Sequence, residues 1–266
     1  MRVLLFLALL LLPGCARINR LDGTYLSPQQ DALVVNGRES LMENHASYFE
    51  RDLRFRQHQH QLTFRDVSYR RIGFLRLPRS TRYRFRILGN SDDSLLLSPA
   101  SRAARRYFQG RDSIVFKPRY AYADRQATFT KIIFHSGRCF GYCHDLHLEL
   151  DASGNLKVTD NGHGRPGMPG MQLNNNYRAK LSSGDLERLH TILRTAQLTT
   201  LQWPVTRRCF DAPDLTLIIY RNDQCTYLRI NAPCEPIVSR PLTRFLYGLF
   251  HYPDLQAVDS TFVYER

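Results

Sequence analysis

Between residues 82 and 87 arginine alternates with large apolar side chains, Arg82-Tyr83-Arg84-Phe85-Arg86-Ile87. A period of two belongs to a β-strand with one wet and one dry face, because successive side chains leave a pleated backbone on opposite sides. Leu53 and Phe55 alternate with Arg54 and Arg56 in the same way. Similar short runs at Thr24–Leu26, Ala32–Val35, Gln61–Phe64, Ser68–Leu77, Ser94–Leu97 and Ser113–Phe116 are separated by breakers such as Asn36-Gly37, Leu77-Pro78 and Gly89-Asn90. Strands at this spacing predict an antiparallel sandwich or small barrel over residues 31–126. Only Ser101–Phe108 reads as a helical turn.

Past residue 126 the pattern changes. Phe129–His135 and Asp145–Leu150 read as strands, the second alternating Leu146, Leu148 and Leu150 with Asp145, His147 and Glu149. Asp151–Asn155 turns into Leu156–Thr159 as a hairpin, and residues 160–176, rich in Gly, Pro and Asn, read as a long loop. Ser182 or Ser183 caps a helix carrying Leu186, Leu189, Leu193 and Ala196 at three- and four-residue spacing. A second hairpin pairs Leu215–Tyr220 with Thr226–Ile230. Leu242, Phe245, Leu246, Leu249 and Phe250 form the apolar stripe of a final helix. The expected class is α+β: a β-rich module followed by an α+β domain with two hairpins and two packed helices.

Between the first two strands of that domain lies Cys139-Phe140-Gly141-Tyr142-Cys143. With the strand before it and the strand, hairpin, capped helix and later hairpin after it, this segment resembles the family called domain of unknown function 6438. The resemblance covers about residues 127–257 and implies a fold and a bacterial envelope address, but no established activity. Members commonly follow the second cysteine with proline, where this chain has His144.

The formal charge of +13 is unevenly spread: residues 16–126 hold 21 Lys and Arg against 11 Asp and Glu, whereas residues 127–266 hold 15 against 13. Arg54, Arg56, Arg82, Arg84 and Arg86 therefore read either as an anion-binding sheet face or as a solvated outer face in an arginine-rich protein. Guanidinium matches phosphate and carboxylate in a bidentate manner, so the first reading points to lipid headgroups, acidic glycans or an envelope protein. No nucleic-acid recognition motif accompanies the charge.

The amino terminus sets the expected address. Met1 and Arg2 precede the apolar run Val3–Leu12 and then Leu12-Pro13-Gly14-Cys15. A run of this length matches a secretory signal and is too short to cross a bilayer, which takes roughly 20 apolar residues. The segment resembles the lipobox of bacterial lipoprotein signals. That resemblance implies cleavage before Cys15, acylation of its thiol and a membrane anchor, since one acyl chain binds marginally and two or three bind stably. Ala16 in the second mature position implies the outer membrane by resemblance to the enterobacterial sorting rule. The resulting organisation is a signal over 1–14, a tether over 15–30, the basic β-module over 31–126, the α+β domain over 127–258 and a tail over 259–266.

With Cys15 acylated in an oxidising compartment, five cysteines remain. Opposing Tyr220 to Cys225 across the second hairpin and extending the register brings Cys209 near Cys234, a bridge worth about 3.5 kcal/mol in the chain-entropy model. Cys139 and Cys143 form a small-ring disulfide if the loop coils, worth about 2 kcal/mol. Cys225 is then a buried free thiol. Two other chemistries compete for the same region: a zinc site from His135, Cys139, Cys143 and His147, with His144 nearby, and a cysteine nucleophile beside a histidine. No G-x-S-x-G, H-E-x-x-H or phosphate-cradling glycine loop occurs. No cofactor is expected. The expected function is non-catalytic binding or scaffolding at the envelope, with a thiol- or zinc-dependent enzyme as the alternative.

Overall fold

The structure, a computed structural model, describes residues 21–36, 40–44, 49–72, 75–139, 143–163, 175–198, 212–221, 224–231 and 235–265. Cys15, Cys209 and Cys234 lie outside them, as do the signal and the Cys209–Cys234 pairing. Among the described residues, no helix is long and apolar enough to cross a membrane. The fold is α+β, with a closed eight-stranded antiparallel barrel and a seven-stranded antiparallel sheet. By internal contacts the chain divides into two compact units, one centred on Val34–Leu41 and Arg51–Phe116, the other on Thr24–Leu33, Met42–Glu50 and Lys117–Arg266.

The barrel strands are β1 (Gly23–Leu26), β2 (Ala32–Val35), β3 (Ser40–Glu43), β4 (Phe49–His58), β5 (Gln61–Ile72), β6 (Leu75–Asn90), β7 (Leu95–Pro99) and β8 (Ile114–Pro118). Pairing of Leu26 with Lys117 joins the first strand to the last, so no edge remains in the ring. β1 falls within the stretch assigned from sequence to the tether. Ser68–Leu77, read from sequence as one strand, is a hairpin instead, with Ile72 opposite Leu75 and Arg70 opposite Leu77. Pro78 lies inside β6 rather than ending it, because proline supplies an extended φ and gives up only one ladder donor.

Alternation does the sorting that the sequence predicts. Leu53, Leu62, Phe64, Tyr83, Phe85, Leu97 and Phe116 point inward and are buried. Between β7 and β8, helix α1 (Arg102–Phe108) begins at Ser101, whose hydroxyl accepts from the Ala104 N–H, and adds Tyr107 and Phe108 to the same core. Phe85 is the hub: its ring lies 6.0 Å from Phe64, 5.9 Å from Tyr107 and 5.4 Å from Phe108. The interior is thus packed with aromatic rings.

The second sheet runs β14-β13-β9-β10-β11-β12-β15. Its strands are β9 (Lys131–Ser136), β10 (His144–Asp151), β11 (Asn155–His163), β12 (Asn175–Lys180), β13 (Asp214–Arg221), β14 (Gln224–Asn231) and β15 (Gln256–Val258). β11 and β12 reach into the stretch expected to be loop, and residues 164–174 are outside the description. Tyr220 pairs with Cys225, the register expected from sequence.

Helix α2 (Ser183–Thr195) is capped by Ser182, which accepts from the Asp185 N–H at 3.1 Å. Helix α3 (Arg240–Gly248) tightens into a 3₁₀ turn over Leu249–His251, so the expected stripe ends in a different winding. Leu189 and Leu193 of α2 and Leu242 and Leu246 of α3 share one core with Phe134, Leu146, Leu148, Leu217 and Ile219. Arg119 fastens the helix ends: Nε donates to the Thr195 carbonyl at 3.1 Å and Nη2 to the Val238 carbonyl at 2.9 Å. Burial lowers its guanidinium to about 10, so these hydrogen bonds compensate a costly position.

Candidate functional site

Two surfaces concentrate the chemistry, and each belongs to one unit. The first is the outer face of β4, β5 and β6. Register places Arg54 opposite Arg65 and Arg65 opposite Arg82, a row of three guanidinium groups across three strands. A second row runs Arg56, Thr63, Arg84, and Gln61 faces Arg86. Arg54, Arg56, Arg82, Arg84 and Arg86 are exposed. Arg65 was not singled out from sequence; pairing Phe55 with Phe64 about the Gln59-His60 turn would have found it.

Like charges directly opposite one another destabilise a sheet, by up to about 1 kcal/mol per pair. Among the described residues, no carboxylate forms a salt bridge with any of these six arginines, and Arg65 Nε donates to Ser80 Oγ at 2.8 Å. The face therefore carries unbalanced positive charge in a fixed, strand-spaced array. Such an array draws counter-ions and suits an anionic surface better than a single small ion.

The second surface is the face of the seven-stranded sheet opposite the helices. His135 on β9 and His147 on β10 are register partners, with Nδ1 to Nδ1 at 2.6 Å. His135 Nε2 lies 2.7 Å from the Glu265 carbonyl, and His147 Nε2 lies 3.4 Å from Asp145 Oδ1. The Glu265 carbonyl can only accept, so His135 Nε2 donates to it, and His147 Nδ1–H donating to His135 Nδ1 completes the pair.

Cys139 and Cys143 are joined in a disulfide with Cα atoms 5.4 Å apart, and Cys139 is buried. The bridge consumes both thiolates that the zinc and nucleophile readings require. Among the described residues, no three His, Cys, Asp or Glu side chains converge as a metal site. His144 leaves the group as well, its Nδ1 lying 3.3 Å from Asp160 and its ring against Phe250. Cys225 is free, but it is exposed rather than buried. It lies on edge strand β14, one position out of phase with the inward-facing Leu228, so alternation overrides the usual preference of cysteine for the interior.

The stretch set aside from sequence as a tail, 259–266, contributes most to this face. Tyr264 stacks on His147 at 5.7 Å and its hydroxyl meets Thr159 Oγ1 at 3.0 Å. Burial pushes the Tyr264 hydroxyl up to about 12. The Glu265 carboxylate accepts from the Tyr220 hydroxyl and lies 3.4 Å from Lys131 Nζ. Glu265 meets His135 through its carbonyl and Lys131 and Tyr220 through its carboxylate, and the register partners Ile133 and Ile218, between those positions on the same face, are 0% and 3% exposed although they point away from the helices. The alternation Thr261-Phe262-Val263-Tyr264 is the signal that could have found this strap.

The Tyr220 hydrogen bond, with help from Lys131, holds the Glu265 carboxyl below the usual range, and the same bond pushes Tyr220 up to about 12. A depressed carboxyl supports docking fully above its free value of about 4.3 and loses that support as pH falls through the bound value. Amide shifts of residues 261–265 are therefore expected to hold steady from neutral pH to about 5 and to move toward unstructured values below about 4. Release above pH 6 would contradict this role for Glu265. Loss from the tyrosine side is expected only as pH rises toward 12.

The chain matches no protein-family model and no curated protein.

Proposed function

We propose that this chain is a lipid-anchored protein of the bacterial cell envelope whose arginine rows bind an anionic surface without catalysis. The Arg54–Arg65–Arg82 row carries the reading, since like charges held opposite one another are stabilised by a partner that neutralises them together. Lipid phosphates of the membrane that holds the anchor are the nearest such array; acidic glycans and an acidic envelope protein offer the same charge in other spacings. The lipobox-like Leu12-Pro13-Gly14-Cys15 supports the anchor, and Ala16 supports the outer membrane. The enzymatic alternative loses support from the Cys139–Cys143 bridge.

Intact mass of the protein from its native host tests the address. The expected species starts at Cys15 and carries at least two acyl chains in the membrane fraction. An unprocessed Met1 terminus without acyl mass would overturn the anchor, while leaving the arginine surface to be judged on binding alone.

A further inference from the structure

We propose that the groove formed by the C-terminal strap and strands β10, β11 and β12 binds a neutral saccharide of one or two rings. The groove has a volume of about 420 Å³ and is walled on one side by His147, Thr159, Asn161 and Asn176 and on the other by Thr261 to Tyr264. That volume lies in the lower part of the roughly 300–1,000 Å³ range of small-molecule sites.

The chemistry of the lining selects the ligand. Thr159 donates to Asn176 Oδ1 at 2.6 Å, which fixes the carboxamide and leaves its Nδ2 hydrogens directed elsewhere. Among the described residues, no protein group bonds the Asn161 carboxamide, the Asn176 Nδ2 or the Thr261 hydroxyl. Carboxamides and hydroxyls both donate and accept, as every sugar hydroxyl does, so one ring can satisfy several of them at once. Phe262 and Tyr264, whose rings meet edge to face at 6.2 Å, add the flat apolar surface against which the C–H face of a pyranose packs. Among the described residues, no Asp, Glu, Lys or Arg lines the groove, and the Arg178 guanidinium lies against the Phe262 ring, 5.3 Å from its centroid, so the walls favour a neutral ligand over a strongly charged one. A purely apolar ligand would strip water from the two amides and the hydroxyl without replacing it. The lining residues fall in one compact unit and the arginine rows in the other.

Saturation-transfer NMR on the full chain tests the proposal, with maltose, cellobiose, lactose and di-N-acetylchitobiose as neutral probes and trigalacturonic acid as the acidic one. Transfer to at least one neutral disaccharide is expected. Asn161→Ala, Asn176→Ala and Phe262→Ala should each weaken it at least tenfold, whereas combined Arg82→Ala, Arg84→Ala and Arg86→Ala should leave it unchanged. Among the described residues, the Asn161 side chain bonds no protein group, so Asn161→Ala is expected to retain the fold and to separate lost binding from unfolding. Absence of transfer to all four neutral sugars, transfer to the acidic trisaccharide alone, or transfer undiminished in Asn161→Ala and Asn176→Ala would each overturn the proposal.

Discussion

Replacing Arg82, Arg84 and Arg86 together by alanine is expected to weaken binding to anionic vesicles by about 150-fold, while the protein becomes slightly harder to unfold. Each basic side chain near an anionic membrane surface contributes about 1 kcal/mol, so three removed charges amount to about 3 kcal/mol, or a factor of about 150. Exposed side chains on an outer strand face make little contribution to the core, whereas the Arg65–Arg82 opposition is unfavourable in the free protein. Removing it returns a few tenths of a kcal/mol. Opposite signs for binding and stability distinguish a functional array from an ordinary solvated face. Glutamate at the same three positions should abolish vesicle binding altogether. Co-sedimentation and thermal unfolding of the same variants read both quantities.

Phe85→Ala should have the largest effect on stability, costing about 3–5 kcal/mol. The ring is fully buried and touches Phe64, Tyr107 and Phe108, so deletion opens a cavity that rigid strand neighbours cannot close. Arg84 and Arg86 flank it on β6 and face the opposite side. Loss of the inner ring therefore also loosens the outer array. Urea unfolding should show the midpoint of the barrel transition falling sharply, while Phe85→Leu, which keeps most of the volume, should cost less than half as much. Equal losses for Ala and Leu would show that packing volume is not what Phe85 contributes.

Where alternation governs burial, the sequence was informative. Arg82–Ile87 and Leu146–Leu150 sort to the faces their period predicts, and Tyr220 opposite Cys225 follows from hairpin geometry alone. Breaker residues misled where the ladder tolerated them, as at Pro78, and the glycine- and asparagine-rich stretch hid strand residues at Asp160–His163 and Asn175–Asn176. The sites were less legible, because they are made by register and by return of the chain. Arg65 joins Arg54 and Arg82 only across strands, and the strap meets His135 across 130 residues. Local patterns mark which face a residue takes and carry little about which distant segment covers that face.

The most direct test is the affinity of residues 16–266, free of the signal and of any acyl chain, for phosphatidylglycerol vesicles as salt rises. Electrostatic capture by fixed arginine rows predicts strong binding at low ionic strength, a steep fall as the Debye length shrinks from about 30 Å at 0.01 M to about 8 Å at 0.15 M, and no binding to zwitterionic vesicles. Arg54→Ala with Arg65→Ala and Arg82→Ala should flatten that dependence. Salt-independent binding, equal affinity for zwitterionic vesicles, or an unchanged curve in the triple variant would contradict it.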